Sequence, residues 1–173
     1  MSRRSLASIL VQDTVSDVMG KGERNDPQKV ADRMRTLCSR REYCRKDILK
    51  KVMTALEGDS AQAEAIADQL VKEKYIDDLR YATAYARDKA SISGWGAAKI
   101  KYMLASKGID RGVISEALGD IDDGRAAARL GKLMENKARS LKDDPQRRMK
   151  LLRFGLGRGY GYEEVTEVID KIL

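Results

Sequence analysis

The pattern Ile-Asp-Asp-x-Arg occurs twice, at Ile76–Arg80 and at Ile121–Arg125, and each copy opens a stretch with apolar residues at helical spacing. A chain that repeats its own helix starts is constrained to fold as an array of like units. The stretch from Tyr75 to Leu118 holds three short helices. The first starts at Asp77 or Asp78, whose carboxylate can take free backbone N–H groups. It carries Leu79, Ala82, Tyr85 and Ala86. Ser91-Ile92-Ser93-Gly94-Trp95-Gly96 breaks it. The second carries Ile100, Met103 and Leu104 and stops at Lys107-Gly108. The third opens at Asp110, carries Val113, Ile114, Ala117 and Leu118, and has Gly119 after it. Helices this short are marginal alone in water, so each must bury its stripe against the others.

The same order recurs on both sides. Ala82 and Tyr85 match Ala127 and Leu130; after a slip of register, Ile100 matches Leu151, Met103 matches Phe154, and Lys107-Gly108-Ile109 matches Arg158-Gly159-Tyr160. Ile114, Ala117 and Leu118 match Val165, Val168 and Ile169. Backward, Asp26 falls on Asp77, Ala31 on Ala82, Met34 on Tyr85, Ile48 and Val52 on Ile100 and Leu104, and Ile66 and Leu70 on Ile114 and Leu118. The expected fold is all-α: three tandem three-helix repeats over residues 26–75, 76–119 and 120–173, forming an elongated, curved array. Two prolines and few aromatics argue against an all-β fold.

Residues 1–25 show little periodicity and are expected to form a flexible arm, or at most a short helix from Leu6 to Val18. No small-residue cleavage pattern follows Leu6–Val11 and no apolar run is long enough to span a bilayer, so no membrane partner and a cytoplasmic location are expected. Cys38 and Cys44, the two cysteines, are expected as free thiols in a reducing compartment. Asp26-Pro27-Gln28 starts the first helix, with proline in the first turn, where its missing N–H costs nothing. Ser60 can cap the third helix. A long helix is expected from Asp122 to Leu141, Asp144-Pro145-Gln146 repeats the Asp-Pro-Gln start, and Ile172 and Leu173 are expected to pack inward.

Charge turns the architecture toward function. Lys29 to Lys51 holds nine Lys or Arg against three acids, and Gly124 to Arg158 eleven against three, while Val52 to Asp123 holds nine against thirteen. Two basic outer units flank an acidic middle. Basic faces attract phosphates and release counterions. The clusters Arg40-Arg41-x3-Arg45-Lys46 and Arg147-Arg148-x-Lys150-x2-Arg153 exceed ordinary surface solvation.

Catalysis finds little support. The chain has no histidine, hence no histidine base or metal ligand. No strand precedes Gly155-Leu156-Gly157-Arg158-Gly159, so helix-end glycines explain that run better than a phosphate cradle. Asp77-Asp78, Asp122-Asp123 and Asp143-Asp144 can in principle hold a divalent cation, but their places at helix starts favour capping. Trp95 can stack on a base; anchoring of its loop in the core, as for Tyr43 one unit earlier, is the reading preferred here. No enzyme, cofactor or metal is expected.

Tyr75-Ile76-Asp77-Asp78-x-x-Tyr81-Ala82, Gly94-Trp95-Gly96 and Leu104-x-x-Lys107-Gly108-Ile109 resemble the signature of the RecX regulatory proteins. Leu37-Cys38-Ser39-Arg40-Arg41-Glu42-Tyr43-Cys44-x-x-Asp47-Ile48 is similar to that family's first segment, and Leu152-Arg153-Phe154-x-Leu156-x-Arg158-Gly159-Tyr160 to its last. Cys44 and Trp95 depart from the residues commoner there. The resemblance implies a modulator, usually an inhibitor, of the RecA recombinase, acting on its filament on single-stranded DNA in DNA repair and the SOS response. It also implies tandem three-helix repeats. A monomer is expected, with duplex DNA a further possible ligand. From charge alone, the expected contacts are Arg40, Arg41, Arg45, Arg87, Lys99, Arg147, Arg148, Arg153 and Arg158. A helical nucleic-acid-binding module acting without the recombinase is the competing reading.

Overall fold

The computed structural model describes residues 26–173; the arm expected over residues 1–25 lies outside the described residues. Nine α-helices and no strand occur among the described residues: α1 (Pro27–Arg40), α2 (Arg45–Ala55), α3 (Ser60–Lys72), α4 (Asp78–Ser91), α5 (Ala97–Ser106), α6 (Arg111–Gly119), α7 (Asp123–Ser140), α8 (Arg147–Gly157) and α9 (Tyr162–Ile172). They fall into two compact units. One contains the described residues to Ala84 together with Lys107–Ile109; the other contains Tyr85–Ser106 and Asp110–Leu173.

In the first unit, α1–α3 close over Val30, Met34, Cys38, Ile48, Val52, Ile66 and Leu70, all buried. A fully buried aliphatic side chain contributes about 2 kcal/mol, and this burial offsets the ordering of helices too short to persist alone. Asp26 accepts from the N–H groups of Gln28 (2.9 Å) and Lys29 (3.4 Å), with Pro27 in the first turn. Asp59, not Ser60, caps α3, accepting from Gln62 N–H at 3.0 Å. The chain reverses there through Glu57 and Gly58, both at positive φ, which puts Ser60 already inside the first turn.

The Ile-Asp-Asp-x-Arg pattern at Ile76 does four jobs in this unit. Ile76 is buried. Asp77 caps its own helix through Arg80 N–H, at 3.0 Å. Asp78 accepts from Arg45 N–H at 3.0 Å and so caps α2, whose own N-cap residue, Cys44, makes no such bond. Arg80 reaches the Lys74 and Tyr75 carbonyls past the end of α3 and pairs with Glu42 at 2.7 Å. The copy at Ile121 keeps only the local job. Asp122 caps α7 through Arg125 N–H at 3.0 Å, while the Arg125 side chain is 89% exposed.

In the second unit, Ile100, Leu104, Ile114 and Ala117 bury the inner faces of α5 and α6. Leu130, Met134, Ala138, Leu151, Val165 and Ile169 make the core of α7–α9. Ala127, matched to buried Ala82 by sequence, is exposed, because the buried stripe of the longer α7 begins at Leu130. Gly155 sits where Val52 and Leu104 sit in the earlier stripes. A Cβ there would lie 2.6 Å from Val165 Cγ2, so this glycine admits a close approach of α9. Asp144 does not repeat the role of Asp26: it accepts from Gln146 N–H at 2.9 Å in a turn, and α8 starts only at Arg147. Leu173 is 52% exposed rather than packed inward, while Ile172 packs against the core.

Both cysteines are free and buried. Desolvation pushes each thiol up to about 11.

Candidate nucleic-acid and partner interface

In the second and third triplets, the turn between the last two helices docks on residues one triplet earlier. In the first unit that turn is Lys107-Gly108-Ile109. Gly108 adopts φ +78°, Ile109 is buried, and Lys107 Nζ donates to Asp47 at 2.6 Å while lying 5.8 Å from the Tyr81 ring centre. In the second unit it is Arg158-Gly159-Tyr160. Gly159 adopts φ +87° and Tyr160 is buried. Gly96 N–H donates to Arg158 O at 2.8 Å and Ala98 N–H to Gly159 O at 3.2 Å. Arg158 Nη1 returns a bond to Ser93 O at 2.7 Å.

The two docks differ in charge. Asp47 of α2 and Lys99 of α5 hold matching positions. The first unit therefore pairs Lys107 with a carboxylate, whereas Lys99 donates to the Gly157 carbonyl at 3.1 Å. Lys99 Nζ also lies 4.7 Å from the centre of the Trp95 ring, and Lys89 Nζ 4.9 Å from it. The Arg158 guanidinium lies 4.7 Å from the Phe154 ring. Among the described residues, none of Lys89, Lys99 and Arg158 forms an ion pair. Three cations with no carboxylate partner thus gather beside two aromatic rings, the kind of arrangement that attracts anions and stacked groups. Trp95 is half-buried rather than a core anchor, unlike Tyr43, which is buried beneath Arg41.

The other expected contacts are dispersed. Arg45 is held by Glu64 at 2.5 Å and Asp68 at 2.6 Å; the bonds to Asp68 and then Glu64 raise its pKa, so its charge is already matched. Arg41 Nε donates to the Tyr43 hydroxyl at 2.5 Å. Arg40 is exposed at the end of α1. Arg87 pairs with Asp120, and Arg148 with Asp170 at 2.7 Å. Arg147 is half-buried, its Nε without a partner. Arg153 is exposed and forms no ion pair among the described residues. The cationic run on α8 is thus partly neutralised, since Lys150 pairs with Asp144. Charge counting passed over Lys89, which lies in the acidic middle of the sequence; its place four residues after Tyr85 and six before Trp95 was the available signal. It also passed over Lys101, Tyr102 and Arg111.

Two family models match this chain: RecX, second three-helix domain, over residues 77–118, and RecX, third three-helix domain, over residues 125–169. Together they cover half of its length. The chain belongs to the RecX family. The regulatory protein RecX of Clostridium tetani is 32% identical over 119 residues, 66% of this chain and 54% of that protein. The regulatory protein RecX of Chlorobium phaeobacteroides is 29% identical over 147 residues, 85% of this chain and 95% of that one. The chain spans about half the length of the clostridial RecX relatives. A solved structure of regulatory protein RecX superposes with a TM-score of 0.75 at 24% identity, covering 87% of this chain and 73% of the other; that likeness concerns the fold. The fold is all-α with tandem helical repeats, and the family is one of regulatory proteins. No described helix is long and apolar enough to cross a membrane.

Proposed function

We propose that this RecX-family chain binds the RecA recombinase and its filament on single-stranded DNA and restrains recombinase and co-protease activity during DNA repair and the SOS response. It does so as a cytoplasmic monomer without chemistry of its own. Its repeats are divided at residues 26–75, 76–119 and 120–173. The observation that carries the reading is the family match across the second and third three-helix domains. The uncompensated cations around Trp95 support it, because a polyanionic assembly is held by charges that the protein itself leaves unmatched.

The nine charged candidates divide on this view. Lys99, Arg158, Arg153 and Arg40 serve as contacts to phosphate or acidic protein. Arg45, Arg87 and Arg148, already paired with carboxylates, serve as contacts only where the partner displaces those acids. Arg41 and Arg147 contribute at the edges. The test is steady-state ATP hydrolysis by recombinase filaments on single-stranded DNA, titrated with this protein. Slowing by the wild type, weakened in Lys99→Glu/Arg153→Glu and nearly unchanged in Arg45→Gln, is expected. No effect of the wild type at any ratio would remove the recombinase reading. Tight oligonucleotide binding without that effect would favour the simpler nucleic-acid-binding module.

A further inference from the structure

Helix α5 carries two stripes, and the core uses one. Ile100, Met103 and Leu104 face inward; Ala98, Lys101, Tyr102 and Ala105 recur at i, i+3, i+4 and i+7 on the solvent side. With Arg111 and Ile114 of α6 they line an open groove of about 340 Å³. Tyr102 is 71% exposed. Exposing the ring forfeits its burial energy. Lys101 and Arg111 form no hydrogen bond or ion pair among the described residues. Helix α5 contains no acidic residue. Asp110, beside Arg111, spends its carboxylate on Gly112 N–H at 2.7 Å, and Glu116 does not line the groove.

We infer that this groove is a subsite for single-stranded nucleic acid: Tyr102 is the stacking platform for one base, and Lys101 and Arg111 hold the phosphates on either side of it. An exposed ring and two unmatched cations lining one groove provide both recognition elements of sequence-tolerant single-strand binding. An acidic peptide would also meet the cations, but its side chains would leave the ring face without a flat partner. The inference deepens the proposed function by naming where DNA is held, and its binding test runs without the recombinase, which enters only to tell DNA binding from protein docking.

The test uses the full chain and a short fluorescein-labelled oligothymidylate, followed by anisotropy over a range of salt. Tyr102→Ala should weaken binding about tenfold, and Tyr102→Phe, which keeps the ring face, should stay within about twofold of wild type. Lys101→Gln/Arg111→Gln should weaken binding and reduce the slope of log affinity against log salt by about 1.4. Tyr102 lies outside the core, so its removal leaves the fold intact, and Trp95 emission with a thermal melt checks each variant. Wild-type affinity in Tyr102→Ala, or no measurable binding by the wild type at low salt, overturns the inference. So does retained oligonucleotide binding in Tyr102→Ala together with a lost effect on recombinase ATP hydrolysis, which would make the groove a protein-docking surface.

Discussion

Replacing Gly96 by alanine should undock the loop before α5 from the turn after α8. A Cβ on Gly96 would lie 2.3 Å from Gly159 O, 2.4 Å from Gly159 C and 2.6 Å from Tyr160 N. These are backbone atoms that no rotamer change can move. Reaching ordinary van der Waals contact requires the two segments to part by about 1 Å. At that separation the Gly96 N–H bond to Arg158 O, now 2.8 Å, and the Ala98 N–H bond to Gly159 O, now 3.2 Å, both fall outside hydrogen-bonding range. The Arg158 bond to Ser93 O goes with them. Three bonds at about 1 kcal/mol each give a destabilisation of about 3 kcal/mol. For a chain of this length that is a melting point lower by about 6–12 °C. Trp95 is the single tryptophan, so its emission reports this dock directly, and urea and thermal unfolding should be followed by that signal beside circular dichroism. The control is Gly131→Ala in α7, where a Cβ meets nothing within 4 Å; the gain in helix propensity should stabilise it by about 0.5–1 kcal/mol. An unshifted midpoint and unchanged emission in Gly96→Ala would refute the account of how the triplets dock.

Two further outcomes separate local from tertiary effects. Asp78→Ala should cost about 1–2 kcal/mol in urea unfolding, because it uncaps α2, whereas Asp123→Ala, at the same place in the second copy, should change stability by less than about 0.5 kcal/mol. Both thiols, held near 11 by burial, should react slowly with a disulfide reagent at pH about 8 in the native protein and quickly in denaturant. Their folded pKa lies above the ordinary 9.0, so the associated stability is intact below about pH 9 and is lost as pH rises toward about 11. Cys38→Ser/Cys44→Ser should flatten that alkaline loss, and an unchanged pH profile would show that other groups cause it.

What the sequence by itself determined is the helical grammar. Asp26, Asp77, Asp110 and Asp122 cap the helices they precede, and Ile48, Ile100 and Leu151 bury at matched places. Caps and apolar spacing act within a few residues, so a linear reading detects them. It did not detect that two identical Ile-Asp-Asp-x-Arg patterns do unequal work: Asp78 accepts from Arg45 N–H, and Asp123 has no such partner among the described residues. Nor did it detect which cations stay unmatched. Arg45 and Lys99 look alike in a charge count, yet one faces two carboxylates and the other a ring and a helix-end carbonyl. Electrostatic potential depends on distances through space between residues tens of positions apart, and only the tertiary structure sets those distances.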